Sequence, residues 1–205
     1  MLAGALLTSV SLGAALTRPG FDLTRHANSQ LALGDQGWIQ TANFIVSGLL
    51  VTAFAAGVWR VIGSHRSGRI GAVCLGLYGL LAGVVVGLFP TDPMFGFPPG
   101  ARADSPGFHS ASTSAQVHAV ASSTGFFAVT CACLAFARYF RSVRRSGWAR
   151  WSWGAAAAVL AVAVYMSASA PSTVGTFNYA PVWIGGGVLW LYLTAVAWRL
   201  HRDVS

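Results

Sequence analysis

The sequence contains no lysine and no glutamate, and only 9% of its 205 residues are charged. An ordinary soluble domain has roughly a quarter of its residues charged. Because 55% of the residues are also hydrophobic, this scarcity of charge excludes a soluble globular protein. The 13 basic residues are all Arg and outnumber the five Asp, which gives a net charge of +8. A basic balance often indicates nucleic-acid binding, but here the Arg residues lie between long apolar runs, so their placement is first a signal of membrane topology.

The sequence also lacks the common motifs for phosphate binding, nucleophilic catalysis, zinc binding and haem binding. The sequence has no phosphate-binding glycine loop and no nucleophile elbow, and no two His are spaced as His-x-x-x-His for zinc. Haem between helices needs two facing intramembrane His, whereas His65 and His201 fall in predicted cytoplasmic segments. We therefore expect no metal and no cofactor.

The apolar runs predict an all-α fold of six membrane-spanning helices. A bilayer core of about 30 Å requires about 20 mostly apolar helical residues, and five such windows are free of charge. With a shorter first window, the predicted spans are 2–17, 38–59, 70–89, 115–137, 151–170 and 180–198. The outer loops are then 18–37, 90–114 and 171–179. We expect one compact bundle that forms a single transmembrane domain over residues 1–205.

The first window has two interpretations, because it is only 16 residues long. It contains no charge, whereas a secretory signal peptide begins with a positively charged region. We interpret it as a true span, with a cleaved signal as the alternative.

Arginine placement predicts the orientation, since basic residues are retained on the cytoplasmic side. Ten Arg lie in the loops after the second, fourth and sixth spans, and three lie in the opposite loops, Arg18, Arg25 and Arg102. Both termini are therefore expected in the cytoplasm.

Small residues form a stripe along the third span, at steps of three or four residues. They are Ala72, Gly76, Gly79, Gly83 and Gly87. In lipid, helices associate through close backbone contact across such residues. The stripe predicts a helix interface, either within the chain or in a homo-oligomer.

Ionisable residues concentrate on the outer side. Four of the five Asp lie there, Asp22, Asp35, Asp92 and Asp104. Asp22 can cap a short helix, and Asp92 can stabilise a turn between two prolines. Alternatively, burial at the lipid boundary raises the pKa of an Asp and lets it act as an acid near neutrality.

Two predicted spans carry polar stripes that require protein or water as neighbours rather than lipid. Gln40, Asn43 and Ser47 form the first, and Ser114, His118, Ser122 and Gly125 form the second. We expect the two stripes to face each other or a shared cavity open to the outer leaflet. A neutral His118 hydrogen-bonded inside the bundle, proton transfer, ligand contact and metal ligation all remain open.

Several stretches together resemble the bacterial membrane family called domain of unknown function 998. They are residues 22–26 (Asp-Leu-Thr-Arg-His), residues 37–40 (Gly-Trp-Ile-Gln) with Asn43 and Phe44, residues 89–93 (Phe-Pro-Thr-Asp-Pro), and His118. The resemblance covers roughly residues 14–199 and implies a compact six-helix protein of the bacterial plasma membrane, with no assigned activity. The Lys-free, Arg-rich composition is typical of an actinobacterial source. Members of that family often have a second His one helical turn before position 118, where this sequence has Ser114, which weakens the case for a two-His metal site.

Two functions fit these residues, beside a third interpretation as a membrane packing module without a ligand. The first is an enzyme that isomerises, cyclises or hydrolyses a lipid-like or isoprenoid molecule, with Asp92 or Asp22 as general acid or base, His118 as proton partner and Arg25 as electrostatic clamp. The second is a non-enzymatic lipid-binding, transport or accessory subunit. In either case, further contacts to the molecule are expected from His26, Trp38, Gln40, Asn43 and Ser122. The expected partners are membrane lipids or a lipid-like molecule, and not nucleic acid.

Overall fold

The computed structural model describes residues 2–168 and 178–202, and this part of the chain is helical, with no β-strand. Its six helices are α1 (Leu2–Thr17), α2 (Gly37–Ile62), α3 (Arg66–Leu88), α4 (Thr113–Ser142), α5 (Ser146–Ala168) and α6 (Ala180–His201). The predicted all-α fold is confirmed. Most of the third predicted outer loop and the end of the fifth predicted span, residues 169–177, lie outside the described residues.

Five of the helices, α2 to α6, are long and apolar enough to cross a membrane, and α1 is a shorter apolar helix. Large apolar side chains point away from the bundle, such as Phe127 (71% exposed) and Leu191 (70% exposed). Contiguous exposed apolar surface of this kind is a liability in water and is favourable against lipid. The chain is therefore a multi-pass membrane protein.

The helices extend beyond the apolar windows at their Arg-rich ends. Helix α4 continues to Ser142, past the predicted end at residue 137, and α5 begins at Ser146 rather than at residue 151. Backbone hydrogen bonding does not stop at the first charge, because a long Arg side chain lies along the helix while its guanidinium reaches water.

Consecutive helices pack side by side, and α1 also packs against α6, so the six helices close into a bundle. The core between them is formed by fully buried side chains such as Leu75, Phe136 and Tyr192. Helix α1 is an integral part of this bundle: Ala3 is 1% exposed, Ser11 is 0% exposed, and Gly4 lies against the Trp190 ring.

The predicted small-residue stripe of α3 packs against α2 within the same chain. A Cβ atom added to Gly83 would lie 2.4 Å from the Gly48 Cα, and one added to Gly48 would lie 2.5 Å from the Gly79 carbonyl oxygen. Only glycine permits this crossing of two backbones. A homo-oligomer through the same stripe would have to displace α2.

Helix α3 changes its hydrogen-bonding pattern at this crossing. Residues Leu80–Val85 form a π-helical segment between the α-helical Arg66–Gly79 and the last turn, Val86–Leu88. The chain then leaves the bundle at Phe89 and Pro90.

Candidate functional site

The helix ends opposite the Arg-rich loops are covered by two loops, residues 18–36 and 89–112, which we call the outer cap after the side of the membrane that the sequence predicts for them. Gln30 ties them together: its side-chain amide donates to the Met94 carbonyl, 2.9 Å away, and its Oε1 accepts from the Ala27 amide, also at 2.9 Å. Gln30 is 0% exposed. The cap is therefore a packed part of the protein rather than two separate loops.

Arg18 holds the first of these loops in place. Its guanidinium donates to the carbonyl oxygens of Leu31 and Leu33 and lies over the Phe97 ring, 5.1 Å from the ring centre. A guanidinium supplies several donors in one plane, so one side chain satisfies two carbonyls and also packs on an aromatic face.

His26 is buried at the centre of the cap, with 2% of its surface exposed. Its Nδ1 accepts from the Asp22 amide at 2.8 Å, so its Nε2 carries the proton that it donates to the Phe95 carbonyl at 3.0 Å. The ring packs beside Phe21 and Phe97. Burial lowers the pKa of His26, although the hydrogen bond to Phe95 opposes the shift. Both ring nitrogens are thus engaged in holding the neutral ring.

Asp22 forms a local turn. One carboxylate oxygen accepts from the amide and the hydroxyl of Thr24, at 2.8 and 2.7 Å. These hydrogen bonds lower the pKa of Asp22, which is the opposite of the raised pKa considered for a general acid, and the side chain is exposed. A carboxyl that stays ionised at neutral pH is not poised as an acid.

Asp92 binds the residue that caps α4. Its two oxygens accept from the amide and the hydroxyl of Ser112, and the Ser112 Oγ in turn accepts from the Ala115 amide at 3.1 Å. The free amides at a helix start need such acceptors. Asp92 therefore stabilises the start of α4 through Ser112.

The end of α3 is held by the next turn of α4. The Nδ1 of His118 lies 2.8 Å from the Phe89 carbonyl and donates to it, and the Ser114 hydroxyl donates to the Pro90 carbonyl at 2.8 Å. These carbonyls lie just beyond the last helical residue, where intrahelical partners run out. Three residues of the Phe-Pro-Thr-Asp-Pro stretch, Phe89, Pro90 and Asp92, are thus hydrogen-bonded to the start of α4.

The polar stripe of α2 has other neighbours. Gln40 donates to the Ser11 hydroxyl of α1 at 3.0 Å and to the Asn28 side chain at 2.9 Å, and Asn43 donates to the Leu7 carbonyl and to Ser11, both at 3.2 Å. Gln40, Asn43 and Ser47 are all buried. We call Asn28, Ser11, Gln40, Asn43 and Ser47 the polar column.

The two polar stripes do not meet, contrary to expectation. Gln40 and Asn43 of the α2 stripe face α1, whereas His118 and Ser114 face the end of α3. Apolar side chains of α2, α3 and α4 pack in a separate cluster, formed by Phe44, Val86 and Ala121. Ser122 lies half-buried on α4, and Trp38 is 69% exposed near the start of α2.

The proposed catalytic residues are also held separately. Across residues 2–168 and 178–202, no hydrogen bond or ion pair joins any two of Asp22, Asp92 and His118, and no group of three His, Cys, Asp or Glu is placed to bind a metal ion. Each of the three side chains instead bonds to a nearby turn or helix end.

The cations of the outer cap differ in what they contact. Arg102 forms an ion pair with Asp104, with N–O distances of 2.7 and 2.8 Å, and Arg18 is held by backbone carbonyls. Arg25 is exposed, and among the residues that the structure describes it has no hydrogen bond or ion pair.

Sequence reasoning missed the residues that hold the cap and the column together, Arg18, Asn28, Gln30 and Ser11. Only the position of Arg18, directly after an apolar helix and on the side poor in Arg, set it apart. Ser11 and Gln30 carry no such signal, because a single Ser or Gln is common in any helix or loop.

A family model described as "Protein of unknown function (DUF998)" matches residues 1–199. Neither the curated proteins nor the solved structures contain a match to this chain.

Proposed function

We propose, from the premise that this chain belongs to the DUF998 family of proteins of unknown function, that it is a non-enzymatic membrane protein whose outer cap binds an anionic, lipid-like molecule. The observation that carries the proposal is that each candidate acid or base is hydrogen-bonded to another part of the protein. Asp22, Asp92 and His118 all bond to the protein's own turns and helix ends. These bonds give each of the three side chains a structural role, and in the described structure none of the three is hydrogen-bonded to another as an acid–base pair would be, so the binding function is favoured over the enzymatic one.

The proposed placement is six spans in a bacterial plasma membrane, with both termini in the cytoplasm. The ten Arg at one end of the bundle and the three at the other support this orientation. The burial of Ser11 in the polar column supports a retained α1, because its removal would leave Gln40 and Asn43 without a shared partner.

Arg25 is the proposed contact to the ligand. It is an exposed guanidinium with no hydrogen bond or ion pair in the described structure, whereas Arg18 and Arg102 are already engaged. A guanidinium matches the geometry of a phosphate or carboxylate and binds it through two parallel hydrogen bonds. An outer-leaflet lipid presents such a group at the height of the cap.

Native mass spectrometry of the protein from nanodiscs of phosphatidylglycerol and phosphatidylcholine tests this proposal. We expect the wild type to retain phosphatidylglycerol and Arg25→Gln to bind it roughly tenfold more weakly, since a hydrogen bond to a charged group contributes about 1.5–3 kcal/mol. Arg102→Gln is the matched control, because it removes the same charge from a side chain that already pairs with Asp104. Equal retention by all three proteins would refute a headgroup site at Arg25.

The enzymatic alternative predicts a different outcome. Incubation with a bacterial lipid extract would yield a product, and Asp92→Asn would abolish its formation while leaving the melting temperature unchanged. The non-enzymatic proposal expects no product, and it expects Asp92→Asn to lower the melting temperature because it weakens the bonds to Ser112.

A further inference from the structure

A small cavity lies between α2 and α3, inside the bundle. It is lined by Ser47 and Gly48 of α2 and by Tyr78, Gly79 and Gly83 of α3, among others, and its volume is about 20 Å³. A cavity needs about 10–15 Å³ to hold one water molecule. The space therefore suits one water.

The hydroxyl of Ser47 lacks a partner in the described part of the chain. Ser47 is 2% exposed, and its Oγ forms no hydrogen bond there. Other helical hydroxyls donate to the carbonyl four residues earlier, as in Thr52, Thr130, Ser152 and Ser167. This bond is the ordinary solution for Ser and Thr inside a helix. Ser47 does not form this bond to the carbonyl four residues earlier, and it lies on the wall of a cavity. Its hydroxyl therefore points to a partner that is not part of the chain.

The opposite wall of the cavity is irregular. Ala82 and Gly83 line it and belong to the π-helical segment Leu80–Val85. A π-helical turn within an α-helix is rare, and it recurs at functional sites because it displaces the regular carbonyl-to-amide ladder. The irregular turn and the unpartnered hydroxyl thus face the same space from two helices.

The cavity also lies at the inner end of the polar column. Asn43 is one helical turn outward from Ser47, and its Oδ1 is a second buried atom without a partner among the described residues. Gln40 continues the column to Asn28, which is half-buried in the outer cap. Polar groups therefore run from the cap into the bundle and end at Ser47.

We propose that this cavity binds one water molecule, held by the Ser47 hydroxyl at the inner end of the polar column. A buried hydroxyl without a partner is costly in a protein surrounded by lipid, and a water restores its hydrogen bond. A bound water needs two to four polar partners, and two residues with polar side-chain groups, Tyr78 and Trp190, are also among the residues that line the cavity. The site does not depend on lipid binding at Arg25.

Radiolytic hydroxyl labelling of the full-length protein in nanodiscs tests the site, because a bound water generates the radical beside the side chains that it contacts. We expect labelling of Tyr78 in the wild type and its loss in Ser47→Val, which removes the hydroxyl and fills the space. Thr130→Val makes the same chemical change on α4 and should leave Tyr78 labelled. An unlabelled Tyr78 in the wild type, or equal labelling in Ser47→Val, overturns the proposal.

The melting temperature of Ser47→Ala gives a second, independent test, in which the sign of the change from the wild type decides. If Ser47 binds a water, the Ala variant loses a hydrogen bond and melts at a lower temperature. If the hydroxyl is unpaired in a dry cavity, its removal relieves the cost of burial and the variant melts at the same or a higher temperature, which overturns the proposal.

Discussion

His26 joins the two loops of the outer cap, and it does so only as a neutral ring. Its Nδ1 must be unprotonated to accept from the Asp22 amide, while Nε2 donates to the Phe95 carbonyl of the other loop. Protonation would break the first of these bonds and place a charge among Phe21 and Phe97. Burial disfavours the charged form of the ring, and it therefore lowers the pKa of His26.

The stability of the protein should therefore fall as the pH drops below about 6.5, the ordinary pKa of His. The unfolded chain binds a proton there before the folded one does, so the contribution of His26 is present above that pH and decreases until the pH reaches the lowered pKa of the folded state. Melting temperatures in detergent from pH 8 to pH 5 measure the effect. His26→Asn should have a lower melting temperature at pH 8 and a smaller decrease on acidification, whereas His109→Asn, at an exposed position, should behave like the wild type. An unchanged pH profile in His26→Asn would contradict the assignment.

At the scale of the helices, α2 and α3 cross in close backbone contact. Gly48, Gly79 and Gly83 bring the two backbones together without side chains between them. Lipid offers no hydrophobic driving force for helix association, so dispersion contacts at such crossings stabilise the bundle. The same contact supports the π-helical segment of α3, which begins directly after Gly79.

Gly83→Ala should destabilise the bundle by about 1–3 kcal/mol, the usual cost of overpacking a close contact. The added Cβ would lie 2.4 Å from the Gly48 Cα, and a backbone atom cannot move aside cheaply. Gly57→Ala is the control: it lies on α2 with no atom within 4 Å of the added Cβ, and it should stabilise the helix by about 0.5–1 kcal/mol. Unfolding in a detergent and denaturant series measures both. Equal stabilities for the two variants would contradict the close contact between the backbones at Gly48 and Gly83.

At the scale of the whole molecule, basic and acidic residues are concentrated at opposite ends of the bundle. One end carries ten Arg, and the other carries the outer cap with four of the five Asp. The helices that join these ends expose apolar side chains to lipid. By the retention of basic residues on the cytoplasmic side, this polarity supports the proposed orientation, in which the cap lies on the outer side.

Cysteine labelling in intact cells tests the proposed orientation. In a variant with Cys74, Cys131 and Cys133 replaced by Ala, Ser110→Cys in the outer cap should react with a membrane-impermeant maleimide in intact cells. Gly147→Cys, at the start of α5, should react only after the membrane is permeabilised. Both residues are exposed at opposite ends of the bundle, so the reverse pattern would invert the topology.

Much of the fold could be predicted because hydropathy and helix periodicity are local properties. The apolar windows located all six helices, and the stripe of Gly79 and Gly83 correctly predicted a helix interface. The predicted helix ends were less accurate. In α4, for example, the apolar window stops at the first Arg, whereas the helical backbone hydrogen bonds continue to Ser142. The first helix was the shortest, and its packing through Ser11 could not be read from a run of apolar residues.

The sequence by itself determined the class of protein, the uneven distribution of Arg between the loops at the two ends of the helices, and the residues that share each helix face. These properties depend only on composition, on the order of the residues and on the 3.6-residue period. The tertiary structure decided which faces meet. It placed Gln40 against Ser11 and His118 against Phe89 rather than against each other. The rotation of one helix against another is set by contacts between residues far apart in the chain, such as the crossing of Gly48 and Gly83, and no local pattern contains that information.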